Sequence, residues 1–117
     1  MSFFVAIRYA VTGIKVFFKT ERNGQIQLGI SVLVILLGFI LKIERTEWIA
    51  ILFCIMLVIG FEMINTAIEN LCNLVHSDYH PRIKIIKDLS AGAVLMAAIL
   101  SAIIGTVIFF PRIMTLF

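Results

Sequence analysis

Charged residues are scarce in this chain of 117 residues. Asp, Glu, Lys and Arg make up 15% of it, and hydrophobic residues make up 62%, whereas about a quarter of an average soluble domain is charged. With a mean hydropathy of +1.10, this composition argues against an ordinary soluble domain and indicates a membrane protein of one domain. The net charge of +3 fits loops that face anionic lipid, so it does not indicate nucleic-acid binding.

Cysteines are few, and glycine-rich motifs are absent. Cys54 and Cys72 both lie in apolar, helical-looking sequence, which argues against a disulfide framework. The seven glycines are scattered, and neither G-x-x-x-x-G-K-[ST] nor G-x-G-x-x-G occurs. Any phosphate chemistry must therefore use side chains and metal in place of a glycine-rich loop.

Four helical segments are predicted. In residues 2–20, the basic residues share one face and apolar residues the other, which is typical of an amphipathic helix lying in the membrane surface. A signal peptide fits poorly, because the basic residues are spread through the segment and no cleavage site follows. Transmembrane helices are predicted at 25–42, 47–75 and 84–109. We expect Gly24 to end the first helix, Pro81 to open the last one and Pro111 to close it.

The distribution of Lys and Arg predicts the orientation in the membrane. Seven of the ten lie in the N-terminal segment and around the loop at 76–88, and three lie at the opposite ends of the spans. The N-terminus and this loop are therefore predicted to be cytoplasmic, and the C-terminus to be outside.

A polar stripe on the second span carries the strongest functional signal. Glu62, Thr66, Glu69 and Asn73 fall within a sector of about 60° on a helix. Carboxylates inside a membrane are functional by default. Glu62 lies about 10 Å deeper than Glu69, so the residues suggest two roles: Glu69 as a metal ligand near the interface, and Glu62 as the acceptor of a proton from a lipid hydroxyl.

Small residues recur at every fourth position of the third span, from Ala93 to Gly105. Such rows let helices approach closely in lipid. Three short helices enclose little volume, so burying a polar site requires more than one copy of the chain. We therefore expect a homo-oligomer.

Three motifs then resemble the small prokaryotic diacylglycerol kinase family, which includes undecaprenol kinases of other bacteria. They are Glu62-Met-Ile-Asn-Thr-Ala-Ile-Glu69, Asp78-Tyr-His80 and the run from Lys87-Asp88 to Val94, and Thr20-Glu-Arg-Asn23 fits as well. The resemblance covers essentially the whole chain. Gly24, Gln25 and Gln27 depart from residues that relatives often carry, and Asn73 stands where some members have Asp.

The resemblance implies a homotrimer with active sites at the cytoplasmic interface between protomers, and transfer of the γ-phosphate of Mg-ATP to a lipid alcohol. Glu62 resembles the catalytic base, with Asn65 beside it, and Glu21 and Glu69 resemble the ligands of Mg²⁺. The positions that the resemblance places in the nucleotide site are Tyr9, Glu21, Glu69, Asp78, Tyr79, His80, Lys87 and Asp88. It also implies a multi-pass protein of the bacterial cytoplasmic (inner) membrane.

The acceptor lipid is expected to be undecaprenol, with diacylglycerol next, because the segments Glu21–Asn23 and His80–Pro81 are more similar to the undecaprenol kinases. Two other functions stay open on the residues alone. One is a small proton-coupled transporter that uses Glu62 as a proton relay, although the outer half of the spans lacks polar residues. The other is a non-enzymatic helix-packing subunit, which would leave the polar stripe unexplained.

Overall fold

The computed structural model describes residues 2–117, and this part of the chain folds into four helices. They are α1 (Phe3–Thr20), α2 (Arg22–Leu41), α3 (Arg45–Val75) and α4 (Pro81–Met114). The last three are long and apolar enough to cross a membrane. The predicted all-α architecture, with three candidate spans after an N-terminal helix, is confirmed. The placement of α1 in the membrane surface and the homotrimer stay predictions.

The boundary between α1 and α2 is a single extended residue. Glu21 has φ −98° and ψ 118°, and its N–H donates to the carbonyl of Phe17. Gly24 lies inside α2 and is buried; a Cβ there would lie 2.6 Å from the Phe17 ring. The prediction that Gly24 ends the first helix is therefore wrong. A glycine is needed here because the Phe17 ring packs directly on the α2 backbone.

A tight turn joins α2 to α3. Lys42 adopts the left-handed conformation with φ 52°, and the N–H of Ile43 donates to the carbonyl of Gly38 at 3.1 Å, as in a Schellman motif. Gly38 is buried, and a Cβ there would lie 2.7 Å from the Trp48 ring. At the start of α3, Glu44 and Glu47 form a capping box that satisfies helix N–H groups.

Helices α3 and α4 form an antiparallel pair that is joined by side chains at both ends. Near the 76–80 loop, Lys87 Nζ donates to Asn73 Oδ1 at 2.7 Å. At the other end, Arg112 pairs with Glu47. A small apolar cluster lies beside that second pair and consists of Ile43, Ile51, Ile108 and Phe109.

Helix α4 begins at Pro81, as predicted, but it does not end at Pro111. The helix continues to Met114. A proline removes one backbone N–H, which here leaves the carbonyl of Val107 without its helical donor. So close to the helix end this loss is small, and the ion pair of Arg112 with Glu47 holds the last turn against α3.

Candidate functional site

The polar stripe of α3 runs from the interior of the chain to its surface. Glu62 and Asn65 are 6% and 7% exposed, Thr66 is half-buried, and Glu69 and Asn73 are exposed. Polar side chains therefore line one continuous path along α3, from a buried carboxylate to the 76–80 loop.

The buried carboxylate of Glu62 has a partner on α2. Asn23 Nδ2 donates to Glu62 Oε1 at 3.4 Å, a long bond that joins the first turn of α2 to the middle of α3. Asn23 belongs to the segment Thr20–Asn23 that resembles the family, but the sequence alone predicts no contact for its side chain. The residues lie 39 positions apart, and no local pattern indicates such a pair.

Asn65 has one satisfied and one unsatisfied polar atom. Its Nδ2 donates to Glu69 Oε1 at 3.0 Å, whereas its Oδ1 is buried and has no hydrogen-bond partner among the described residues. A buried acceptor without a donor costs free energy, on the order of 1–3 kcal/mol. The carbonyl oxygen is thus available to a bound group beside the Glu69 carboxylate.

The basic residues of α4 have two different kinds of partner. Lys84 Nζ pairs with Asp88 Oδ2 at 2.6 Å on the exposed side of the helix. Lys87, by contrast, is half-buried and donates to the neutral amide of Asn73 on α3. The structure therefore brings Lys87 to the end of the polar stripe, whereas Asp88 is paired with Lys84 of the same helix.

The 76–80 loop and α1 carry the other predicted nucleotide residues. Asp78, Tyr79 and His80 are exposed. His80 is the N-cap of α4, and its Nδ1 accepts a hydrogen bond from the N–H of Arg82 at 3.1 Å. Tyr9 is 60% exposed on α1.

Glu21 lies between α1 and α2, beside a pocket of ≈ 260 Å³ that Phe17, Met63 and Thr66 also line. It thus approaches the polar stripe from the side of α1. In residues 2–117, no three side chains of the types His, Cys, Asp and Glu converge on one point.

The donor chemistry nevertheless fits Mg²⁺. Mg²⁺ prefers oxygen ligands, keeps several waters, and takes only one or two protein carboxylates together with substrate phosphates. The exposed carboxylate of Glu69 and the unpartnered Oδ1 of Asn65 are such oxygens, on adjacent turns of α3.

A larger cavity of ≈ 620 Å³ lies elsewhere, between α2, α3 and α4. Its lining is mostly apolar and includes no charged side chain; its polar residues are Gln27 and Ser31 of α2 and Ser101 and Thr106 of α4. The cavity therefore has no carboxylate that could accept a proton and no basic side chain that could bind a phosphate.

Comparison with known proteins finds similarity to one family. The family model of prokaryotic diacylglycerol kinase matches residues 8–109. The undecaprenol kinase of Bacillus subtilis is 37% identical over 110 residues, which are 94% of this chain and 89% of that protein. A diacylglycerol kinase of Synechocystis is 37% identical over 96% of this chain and 65% of its own length. The diacylglycerol kinase of Haemophilus influenzae is 26% identical over 88% of each chain.

The matched region contains α2, α3 and nearly all of α4, and with them every predicted site residue. The named relatives support a lipid kinase. The chain belongs to the prokaryotic diacylglycerol kinase family.

Proposed function

We propose that this protein transfers the γ-phosphate of Mg-ATP to the hydroxyl of a membrane lipid alcohol. The observation that carries the proposal is the polar stripe of α3, with a buried carboxylate at one end and a lysine at the other. Glu62 is buried in the apolar part of α3, the depth at which a membrane lipid would present its hydroxyl. Lys87 lies near the 76–80 loop, where a nucleotide could bind from the water.

Glu62 is the proposed general base. As the lipid oxygen bonds to the γ-phosphorus, the hydroxyl proton passes to the Glu62 carboxylate. The bond from the γ-phosphorus to the β–γ bridging oxygen breaks, and ADP leaves. The bond from Asn23 to Oε1 leaves Oε2 of Glu62 to accept the proton. General-base catalysis contributes about 10²–10⁴-fold to a rate.

Glu69 and Glu21 are the proposed ligands of Mg²⁺, and the Oδ1 of Asn65 lies next to Glu69. When bound, Mg²⁺ would neutralise charge on the phosphate oxygens. Asn65 also fixes the orientation of Glu69 through its Nδ2, so the proposed ligand is held in place before any ion binds.

Lys87 is the proposed phosphate-binding lysine, and Asp88 is its acidic neighbour on the same turn. The exposed loop residues Asp78, Tyr79 and His80, together with Tyr9, are proposed to bind the nucleotide. The proposal includes a homotrimer whose sites are completed by neighbouring protomers, because three short spans enclose little volume for a buried polar site.

The proposed location is the bacterial cytoplasmic membrane, with the N-terminus and the 76–80 loop inside. Helix α1 would then lie in the inner surface of the membrane, with its basic face on the headgroups. Undecaprenol is the favoured acceptor and diacylglycerol the next, a preference that the relatives' names leave open because both activities occur among them.

A direct assay tests the proposal. The purified protein in lipid vesicles is supplied with Mg-ATP and either undecaprenol or diacylglycerol, and the phosphorylated lipid is measured. We expect product with at least one acceptor, more with undecaprenol, and no product when Mg²⁺ is chelated. Absence of product with both acceptors would contradict the proposed function.

A further inference from the structure

Asn73 has no assigned role in the proposed reaction, yet it makes the one side-chain hydrogen bond that Lys87 has within the described chain. Lys87 Nζ donates to Asn73 Oδ1 at 2.7 Å, a short bond between the last turns of α3 and the second turn of α4. The lysine side chain is thereby drawn across the helix pair, onto the face of α3 that carries Glu69.

The partner of Lys87 is the neutral amide of Asn73, so the hydrogen bond between them does not cancel the positive charge of the lysine. Ion pairs within residues 2–117 join Lys84 to Asp88 and Arg112 to Glu44 and Glu47. Asp88, the carboxylate nearest to Lys87 in sequence, is occupied by Lys84. The ammonium group of Lys87 is therefore oriented without being neutralised.

Asn73 also separates two groups of opposite charge. Glu69 lies one helical turn before it on the same face of α3, and the Glu69 carboxylate accepts from Asn65 rather than from Lys87. A carboxylate at position 73 would place two acids on consecutive turns and would pair with the lysine. The amide avoids both effects and keeps a polar bond to Lys87.

We infer that Asn73 is a positioning residue for the nucleotide phosphates: it holds Lys87 in place and leaves its full positive charge available to the ligand. This inference rests on the proposed function, because it takes the phosphates of Mg-ATP as the ligand of Lys87. It predicts that Asn73 affects nucleotide binding through Lys87 and leaves lipid binding unchanged.

The first test removes the amide. Asn73→Ala is expected to raise the KM for Mg-ATP and the Kd for a non-hydrolysable ATP analogue with Mg²⁺ about fivefold, in line with the loss of one ordinary hydrogen bond that positions a lysine which keeps its charge. The KM for the lipid acceptor stays at the wild-type value. Leu71→Ala is the control, because it truncates an exposed side chain of the same helix on the face opposite the polar stripe, and it leaves the Kd unchanged.

The second test asks whether Asn73 acts through Lys87. In a Lys87→Met background, Asn73→Ala is expected to have no further effect on the Kd, because residues that act as a unit are not additive. Equal effects of Asn73→Ala in both backgrounds would show a purely structural role and overturn the inference.

The third test concerns charge. Asn73→Asp keeps an acceptor oxygen and binds the lysine more tightly, yet it is expected to weaken binding of the analogue more than Asn73→Ala does. Binding by Asn73→Asp as tight as in the wild type would overturn the charge argument. Kinase activity in the wild type separates these outcomes from failure of the proposed function, and unfolding temperatures of all variants verify that the fold is intact.

Discussion

The two ends of the α3–α4 pair are joined by basic residues of α4, but the partners differ in charge. Arg112 pairs with the carboxylates of Glu47 and Glu44, whereas Lys87 donates to the amide of Asn73. The first end neutralises its cation within the chain and lies beside the apolar cluster that contains Ile51 and Ile108. The second end leaves its cation charged and lies beside exposed loop residues.

Under the proposed function, this difference separates a structural end of the helix pair from a phosphate-binding end. A pair of opposite charges holds two helices together, and because the two charges cancel, it leaves no free charge to bind a ligand. A lysine held by an amide is equally oriented but can still bind an anion. Substitutions at the Arg112 end should therefore change stability, and substitutions at the Lys87 end should change activity.

Glu62→Gln should have the largest effect on activity. Glutamine keeps the size of the side chain and can still contact Asn23, but it cannot accept the hydroxyl proton. We expect kcat for lipid phosphorylation to fall about 10³-fold, within the range for a lost general base, with unchanged binding of the ATP analogue. Glu44→Gln, a change of the same kind at the exposed opposite end, should retain activity. Activity within tenfold of wild type in Glu62→Gln would remove the residue from the chemistry.

Lys87→Met should weaken nucleotide binding. It keeps much of the side-chain length but loses the charge, so we expect the Kd for the Mg-ATP analogue to rise about 10–100-fold, as for the loss of a bond between charged groups. Lys42→Met removes a lysine from the turn at the Arg112 end and serves as the control. An equal rise in both variants would show a general effect of net charge and would contradict the comparison of the two ends.

Gly24→Ala should affect stability and the position of α1. The added Cβ would lie 2.6 Å from the Phe17 ring, so the ring or α1 must shift, at a cost of about 1–3 kcal/mol for an overpacked contact. Gly29→Ala is the matched control on α2, because nothing lies within 4 Å of its Cβ position. Unfolding in detergent should start at a lower temperature in Gly24→Ala than in Gly29→Ala. Equal unfolding midpoints for Gly24→Ala and Gly29→Ala would show that the Phe17 ring can move aside without loss of stability.

Arg112→Met should have the smallest effect on activity and a measurable one on stability. It breaks the pair with Glu47 and leaves that half-buried acid without its partner. We expect the unfolding temperature to fall by several degrees, while kcat and both KM values at low temperature stay at wild-type values. A loss of activity without a loss of stability would mean that this end also contributes to the reaction.

Much of this molecule could be predicted from its sequence because its elements are set by local patterns. The apolar runs predict α2, α3 and α4, and the spacing of Glu62, Glu69 and Asn73 predicts that they share a face. The prediction that Gly24 ends the first helix was wrong because glycine ends some helices and allows close packing in others. Only the position of Phe17 decides between these roles, and Phe17 lies on another helix.

The sequence by itself determined the helices, the polar face of α3 and the motifs that link the chain to its family, since each depends on residues close together in the chain. The tertiary structure decided which side chains meet. It paired Glu62 with Asn23, Lys87 with Asn73, and Arg112 with Glu47. These pairs depend on how the helices pack, and packing is a property of surfaces that lie far apart in sequence.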